Sequence, residues 1–172
     1  MGAPPATALL LGLLLCTSTG CARLLYNFAP VRSGEIYRSA QPSPLMLRYL
    51  VSRYEIRSIV NLRGRTPGYE SAFAARNGLR LYTLDLSSRT PPTEAEVERF
   101  LDIVTDAENH PILVHCRNGV DRSGYMVGLY RIEAESWDAD RAIHEMNRFF
   151  QFEWRNPTAQ AVVRDGARSE PD

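Results

Sequence analysis

The chain has 172 residues, which is the size of one domain with a substantial buried core. Lysine and arginine together number 20, as do aspartate and glutamate, so the formal net charge is zero and the charge balance does not indicate nucleic-acid binding. Hydrophobic residues make up 44% and charged residues 23%, as in an ordinary globular domain, and the sequence contains no internal repeat.

The first 21 residues are predicted to be a secretory leader rather than part of the domain. The apolar run Leu9 to Leu15 is too short to span a membrane, and small residues follow it. The sequence Thr19-Gly20-Cys21-Ala22 resembles a bacterial lipoprotein cleavage site, although no lysine or arginine precedes the apolar run and Ser18 stands where such sites favour leucine. We expect export to a bacterial periplasm with a membrane tether through lipidated Cys21; the alternatives are plain secretion and a retained N-terminal anchor.

The cysteine count agrees with this interpretation. The chain has three cysteines, Cys16, Cys21 and Cys116. Cleavage before Cys21 removes Cys16, and lipidation occupies Cys21 itself. Cys116 is then a thiol without a disulfide partner in an oxidising compartment, which suits a nucleophile.

The residues after the leader predict one α/β domain over 35–163, with a tether and lead-in over 22–34 before it and a flexible polar tail over 164–172 after it. Strands are predicted at Glu35–Arg38, Ser58–Leu62, Leu79–Leu86 and Ile112–His115. Helices are predicted after the N-cap Ser43, over Pro67–Asn77, after the capping box Thr93–Glu96, over Tyr125–Ser136, and after Asp138 with Ala142, Ile143, Met146, Phe149 and Phe150 facing inward. Because helices alternate with strands, we expect a largely parallel central sheet with helices on both faces.

The stretch from His115 to Gly124 joins the last predicted strand to the following helix through a tight loop. A helix N-terminus exposes unpaired N–H groups and carries a partial positive charge, and a loop in front of it can aim further N–H groups inward as a nest. Gly119 and Gly124 relieve the tight backbone that such a loop needs. The arrangement predicts an anion site, and phosphate is an anion that such sites bind readily.

Cys116 and Arg122 make this anion site a candidate reaction centre, with five residues between them. A cysteine that faces amide dipoles, a helix N-terminus and an arginine ionises easily, since such settings lower a thiol pKa from ~8.5 to roughly 3.5–7.5. Arg122 offers a planar fork that matches two phosphate oxygens. The predicted chemistry is attack of the Cys116 thiolate on phosphorus, with Ser123 donating a proton toward the sulfur in the second step and with no metal or other cofactor.

The pattern H-C-x-x-G-x-x-R-S resembles the signature loop of cysteine-based protein tyrosine and dual-specificity phosphatases, and it is carried by His115, Cys116, Gly119, Arg122 and Ser123. Asn27-Phe28 and Gly34 to Pro42 are similar to the N-terminal segment of bacterial, exported members. The resemblance covers about residues 27–150. It implies a dual-specificity-phosphatase-like fold and a phosphocysteine intermediate in the hydrolysis of phosphotyrosine, or of phosphoserine and phosphothreonine, in a protein or a small phosphoester. It also implies phosphate binding by Arg122 and by the loop residues Arg117, Asn118, Gly119, Val120 and Gly124.

The family usually carries a proton-donating aspartate on the loop that follows the strand predicted at 79–86, but Ser87 to Pro92 contains no carboxylate. Two candidates for the general acid remain, Asp85 and Asp121. The form G-x-D-R-[ST] is similar to loops of some lipid- and protein-directed phosphatases in which that aspartate is proposed as the acid. We favour Asp121, because strand alternation assigns Asp85 to a face that points into the core. The structural alternatives are an Asp121 that bonds loop amides and an Asp85 that pairs with an arginine.

Other functions compete with protein dephosphorylation. Phosphoinositide or inositol-polyphosphate hydrolysis is a close rival, although relatives with that activity tend to carry extra lysines in the loop, where this chain adds only Arg117 and has Val120 at an often basic position. Sulfur transfer of the rhodanese type usually needs a loop one residue shorter. A catalytically weak phosphate-binding module is favoured by the missing loop aspartate and disfavoured by the intact signature loop. Arg63 and Arg65 either hold an anionic substrate or are solvated loop residues.

Overall fold

The computed structural model describes residues 26–148 and 157–166. Its strands are β1 (Ala29–Arg32), β2 (Ile36–Ala40), β3 (Ser58–Asn61), β4 (Arg80–Thr83) and β5 (Ile112–Cys116). Its α-helices are α1 (Pro44–Tyr54), α2 (Gly68–Arg76), α3 (Glu94–Thr105), α4 (Asp121–Glu133), α5 (Ala139–Arg148) and α6 (Pro157–Gly166). A short 3-10 helix, Ala107–Asn109, precedes β5. The leader and Phe149 and Phe150 lie outside the described residues.

The strands form one sheet in the order β1-β2-β5-β3-β4. The pairs β2/β5, β5/β3 and β3/β4 are parallel, whereas β1 pairs antiparallel with β2. In this register Cys116 lies beside Ala40 and His115 lies beside Asn61. The predicted α/β class and largely parallel sheet are therefore confirmed, and the carboxyl ends of four parallel strands meet at one edge, where ligands bind in such folds.

Helices cover both faces of the sheet, as predicted. On one face, α1 packs Leu47 and Leu50 against Ile59 and Leu113 of the sheet. On the other face, a larger cluster takes buried side chains from β1, β2, β3 and β5 and from helices α3 to α6, including Val114, Phe100, Met126, Ile143 and Val163. Leu113 and Val114 alternate between the two clusters, as successive residues of a strand buried on both faces must.

The predicted helix caps are confirmed. Ser43 Oγ accepts a hydrogen bond from the backbone N–H of Met46 at 3.3 Å. Thr93 and Glu96 form both bonds of the capping box, at 3.3 Å and 2.7 Å. These caps satisfy N–H groups that a helix start leaves unpaired, which is why the local sequence alone locates them.

Four elements differ from the sequence-based expectation. Strand β4, predicted over Leu79–Leu86, is confined to Arg80–Thr83, so Leu84 to Leu86 belong to the loop before α3. Strand β1 lies within 22–34, the stretch predicted to be a tether. A strand can form there because β1 is at the edge of the sheet, where Pro30, whose nitrogen carries no hydrogen, is tolerated. Helix α6 was not predicted, and its last turn includes residues assigned to the polar tail from 164 onward. It packs on α4 where Gly128 leaves room, since a Cβ there would lie 2.8 Å from Val163 Cγ2. Helix α4 begins at Asp121 rather than Tyr125.

No helix within residues 26–148 and 157–166 combines the length and the apolar character that crossing a membrane requires.

Candidate active site

Cys116 is the last residue of the central strand and lies under the start of α4. Its side chain is buried, with Sγ 3.5 Å from Ser123 Oγ. Burial raises the pKa of the Cys116 thiol, but the hydroxyl and backbone of Ser123, the backbone of Val120 and the charge of Arg122 together outweigh burial and lower that pKa below its ordinary value. The surroundings of Cys116 therefore raise the fraction of thiolate, the nucleophilic form, above that of an ordinary cysteine.

The loop between Cys116 and α4 is held by its carbonyl groups. Three donors from outside the loop bind three successive carbonyls: Gln41 N to Arg117 O at 3.2 Å, Asn27 Nδ2 to Asn118 O at 2.7 Å, and Arg38 Nη2 to Gly119 O at 2.8 Å. In a trans peptide the C=O and the following N–H point in opposite directions. The carbonyls bind neighbouring segments, so the N–H groups of residues 118–120 point away from those segments. The backbone of Val120 is among the groups that lower the pKa of the Cys116 thiol, as a nest at this place would require.

Gly119 is required by the backbone of this loop. Its φ is +70°, in the left-handed region, and a Cβ at this position would lie 2.5 Å from Ala40 N and 2.7 Å from Ser39 C. Any other residue must shift strand β2 or the loop. Gly124 differs, because it lies inside α4 and faces Met146 of α5, whose Cγ would be 3.1 Å from an added Cβ.

Arg38 and Asn27 were not identified as site residues from the sequence. Arg38 is 1% exposed on β2, and burial lowers its pKa to about 10, a value at which the guanidinium still carries its charge at neutral pH. The signal available in the sequence was an arginine inside a predicted strand, which is unusual for a buried position.

Arg122 lies in the first turn of α4, half-buried. Its Nη1 donates a long hydrogen bond of 3.4 Å to Leu86 O, and its buried Nε has no acceptor among the described residues. No ion pair forms between Arg122 and a carboxylate of residues 26–148 or 157–166. A buried guanidinium N–H without an acceptor costs free energy, and a phosphate oxygen can remove that cost.

The loop between β4 and α3 covers the first turns of α4. Tyr125 donates a hydrogen bond from its hydroxyl to Ser87 O at 2.8 Å, and Ser87 Oγ accepts from the backbone N–H groups of Arg89 and Thr90 at 3.0 Å. This is the loop on which the phosphatase resemblance leads one to expect an acid. Its position against α4 agrees with that role. Because β4 ends at Thr83, this loop also carries Asp85, whereas the part that follows Leu86 presents hydroxyls and no carboxylate.

The expected orientation of Asp85 is wrong. Leu84 and Leu86 are buried, each 3% exposed, whereas Asp85 is exposed and lies against Gly64, where an added Cβ would be 1.9 Å from Asp85 Oδ1. Strand β4 is at the edge of the sheet and ends at Thr83, so alternation alone could not tell which of its faces meets the larger cluster. Asp121, the first residue of α4, is half-buried and lies beyond the carboxyl end of the central strand β5.

A buried carboxylate, that of Glu70, contacts the residue before the nucleophile, and sequence analysis did not identify it. Glu70 of α2 is completely buried, and its Oε1 lies 2.7 Å from Nε2 of His115, the neighbour of Cys116. Glu70 also accepts hydrogen bonds from Asn61 Nδ2 at 2.9 Å and Gln41 Nε2 at 3.2 Å. Burial raises the pKa of Glu70, but His115, Gln41 and Asn61 together lower it below its ordinary value, so Glu70 is a carboxylate.

The structure brings the other predicted residues together in one continuous segment: Cys116, Arg117, Asn118, Gly119, Val120, Asp121, Arg122, Ser123 and Gly124. Within the described residues, no group of three histidine, cysteine, aspartate or glutamate side chains could hold a metal ion. The functional atoms supplied by this segment are a thiol, backbone N–H groups, a guanidinium, a hydroxyl and a carboxyl group. Such a set can bind a tetrahedral anion and attack it with sulfur.

The sequence is similar to those of known proteins over most of its length. Residues 26–165 match the family model described as a DSP-PTPase phosphatase fused to NAD+ kinase. Inositol diphosphatase DSP3 of Arabidopsis thaliana is 34% identical over 134 residues, which cover 75% of this chain and 64% of that protein. The chain thus spans slightly less than two thirds of the length of the plant relatives it matches.

Two solved structures are similar along most of their length. The core catalytic domain of the PP-IP phosphatase SIW14 from S. cerevisiae, in complex with citrate, has a TM-score of 0.70 and 31% identity, with 79% of this chain and 83% of that chain covered. TpbA from P. aeruginosa has a TM-score of 0.71 and 28% identity, with 84% and 90% covered. A variant of TpbA has also been solved in complex with pTyr.

Proposed function

Because the chain belongs to a family of dual-specificity-type phosphatases, which are hydrolases, we propose that it hydrolyses phosphate esters through a phosphocysteine intermediate on Cys116. One observation carries the proposal. The buried Cys116 thiol, with its lowered pKa, lies next to loop N–H groups and an arginine that no carboxylate neutralises within the described segments. That combination suits a doubly charged phosphate and has no evident structural purpose.

The reaction proceeds in two displacements. The phosphate oxygens accept hydrogen bonds from the loop N–H groups and from Arg122, and the Cys116 thiolate forms a bond to phosphorus while the bond to the leaving oxygen breaks. Water then attacks the phosphocysteine, the bond between phosphorus and sulfur breaks, and inorganic phosphate leaves. Ser123, whose Oγ is 3.5 Å from Sγ, stabilises the departing thiolate by hydrogen bonding.

Aryl phosphates such as phosphotyrosine are the first candidate substrates. A phenol has a pKa of about 10, so its oxygen leaves with less help from a general acid than an alcohol oxygen does. This property suits a site in which the stretch between Leu86 and α3 carries Ser87, Ser88 and Thr90 but no carboxylate. The similarity to TpbA, which has been solved with pTyr, supports the same class. Phosphoserine and phosphothreonine would depend on Asp121 or Asp85 as acid.

Inositol diphosphates are a second candidate, favoured by the relatives named inositol diphosphatase. When sulfur attacks the terminal phosphorus of a diphosphate, the leaving group is the phosphate that remains on the inositol. The second pKa of such a phosphoester is about 6, so this leaving group needs even less protonation than a phenol oxygen. The lack of a carboxylate between Leu86 and α3 therefore agrees with this class also.

The location proposed here is the bacterial periplasm, with a lipid tether on Cys21. The support is the apolar run Leu9 to Leu15 and the small residues up to Cys21. Mass spectrometry of the mature N-terminus tests it: a lipid-modified Cys21 at the first position is expected. A soluble mature form that starts beyond Cys21 would contradict the tether, and an intact Met1 would contradict processing.

Turnover of 4-nitrophenyl phosphate, phosphotyrosine and an inositol diphosphate by the purified full chain tests the function. We expect phosphate release, a phosphorylated Cys116 in acid-quenched samples, and complete loss of both in Cys116→Ser with phosphate binding retained. Substantial turnover by Cys116→Ser would overturn the mechanism. Binding without turnover of any of the three substrates would identify a phosphate-binding module.

A further inference from the structure

Arg63 lies beside the signature loop and is positioned by the buried network around Glu70. It follows Leu62, whose N–H bonds His115 O at 2.9 Å, so Arg63 begins the loop next to the end of β5. Its Nη1 donates to Gln41 Oε1 at 3.0 Å, and the backbone N–H of Gln41 holds Arg117 O at 3.2 Å. The guanidinium is therefore one side chain away from the first residue after Cys116.

Glu70 determines which end of the Gln41 amide faces Arg63. The Glu70 carboxylate can only accept hydrogen bonds, and it takes one from Gln41 Nε2 at 3.2 Å. The same nitrogen lies 3.2 Å from the Tyr69 hydroxyl, which in turn donates to Pro42 O at 2.6 Å. The amide oxygen of Gln41 must then point toward Arg63, so a buried charge orients the arginine through one neutral side chain.

Arg63 is not neutralised by a carboxylate of the described residues; several other arginines, Arg76 among them, share this property, and the hydrogen bond to Gln41 is what distinguishes Arg63. Arg32, Arg80, Arg131 and Arg164 each pair with a carboxylate within 4.0 Å. Among residues 26–148 and 157–166, no carboxylate pairs with Arg63, and the same is true of Arg122. A half-buried guanidinium held by a neutral amide is preorganised to bind an anion, because its orientation is already determined before the ligand arrives.

We propose that Arg63 forms a second anion subsite beside the reacting phosphate and binds a further phosphate group of a polyphosphorylated small molecule. The inference rests on the proposed function, since it takes the signature loop as the site of the reacting phosphate. It assigns Arg63 the role of a specificity residue and Gln41 that of the residue that positions it. A substrate with one phosphate reaches the loop alone, so Arg63 discriminates between substrates without contributing to attack on phosphorus.

The test compares competitors that carry one or several phosphates. Turnover of 4-nitrophenyl phosphate by the full chain is inhibited with inorganic phosphate and, separately, with inositol hexakisphosphate. In Arg63→Gln we expect the inhibition constant of inositol hexakisphosphate to rise roughly tenfold or more, as loss of a charge-assisted contact implies. The inhibition constant of inorganic phosphate should rise by a clearly smaller factor, because a single phosphate occupies the signature loop and makes no direct contact with Arg63.

Two further variants separate the specific contact from net charge and folding. Arg76→Gln makes the same charge change in the last turn of α2, at the opposite edge of the sheet, and should leave both inhibition constants unchanged. Arg63→Lys keeps the charge without the fork and should fall between wild type and Arg63→Gln. Equal loss of affinity for both competitors, or an equal effect of Arg76→Gln, would overturn the subsite.

Two outcomes have other meanings. If Arg63→Gln instead weakens turnover of a phosphotyrosine peptide with a neighbouring glutamate and spares inositol hexakisphosphate, the second anion belongs to a protein substrate and the proposal is wrong. If the wild-type chain does not turn over 4-nitrophenyl phosphate, the proposed function fails. Calorimetric binding of inositol hexakisphosphate to wild type and Arg63→Gln then still decides the subsite, which is overturned if the two affinities are equal.

Discussion

Helix α4 carries an arginine in its first turn and another in its last, and the two have opposite surroundings. Arg131 donates to both carboxylate oxygens of Glu145 at 2.9 Å and 2.7 Å, to Glu135 at 2.6 Å and to Val31 O at 2.6 Å. Arg122 makes one 3.4 Å bond to a carbonyl and keeps a buried Nε without an acceptor among the described residues. The guanidinium in the last turn therefore has an acceptor for each of its nitrogens, whereas the guanidinium in the first turn has a buried nitrogen without an acceptor among the described residues.

The helix dipole makes this contrast more informative. A cation at the C-terminal end is favourable, which suits Arg131, whereas a cation at the N-terminal end is unfavourable, which applies to Arg122. An arginine placed against the dipole and without a carboxylate costs stability unless an anion arrives. The first end of α4 is therefore organised for a ligand, and the last end ties α5 and strand β1 to the domain.

The largest expected effect comes from Arg122→Lys, which should lower kcat/KM for 4-nitrophenyl phosphate about 10³-fold, because an ammonium cannot bind two phosphate oxygens in one plane. The melting temperature should stay the same or rise, since no carboxylate of residues 26–148 or 157–166 loses its partner. Steady-state kinetics and thermal unfolding of the same preparation check both statements. Near-normal kcat/KM in this variant would mean that Arg122 is not the phosphate ligand.

Arg131→Met should do the opposite. Removing one partner of a buried charge cluster leaves Glu145 and Glu135 without their cation, so the free energy of unfolding should fall by about 3 kcal/mol. Denaturant titration measures this change. Turnover per folded molecule, measured well below the unfolding midpoint, should be unchanged. A comparable loss of turnover would show that the two ends of α4 are coupled, and the contrast between them would not hold.

The next largest effect on the rate of hydrolysis is expected from removing the proton donor. Asp121→Asn should slow hydrolysis of an alkyl phosphate about 10²-fold and barely change hydrolysis of an activated aryl phosphate, because only the poor leaving group needs the acid. Asp85→Asn is the matched variant, since Asp85 lies at the same edge of the sheet but against Gly64. If the loss that depends on the leaving group occurs in Asp85→Asn alone, the assignment to Asp121 is wrong.

The smallest effect concerns the thiol. Because its pKa is lowered, alkylation of Cys116 by iodoacetamide should level off at a lower pH than alkylation of an ordinary cysteine. Ser123→Ala removes one stabilising hydrogen bond to the thiolate, so the midpoint of the alkylation profile should move to higher pH. Ser58→Ala makes the same change at a buried position at the start of β3, and it should leave the midpoint unaltered. An unchanged midpoint in Ser123→Ala would show that the Ser123 hydroxyl does not stabilise the thiolate.

The sequence by itself determined what depends on residues close together along the chain. Cys116, Gly119, Arg122 and Ser123 belong to one short segment, and a strand followed by a tight loop and a helix brings them together whatever surrounds them. The caps at Ser43 and Thr93 were predictable for the same reason, because each satisfies N–H groups within three residues of itself.

Only the tertiary structure decided which distant residues complete the site. Arg38 reaches Gly119 across 81 residues, Gln41 at the end of β2 binds the carbonyl of Arg117, and Glu70 of α2 reaches His115. These contacts depend on the strand order β2-β5-β3, which no local pattern encodes. The orientation of Asp85 shows the same limit, since alternation distinguishes two faces of an edge strand without saying which one the core covers. The physical reason is that local bonds depend on chain geometry, whereas the partner of a buried charge depends on how the whole sheet is assembled.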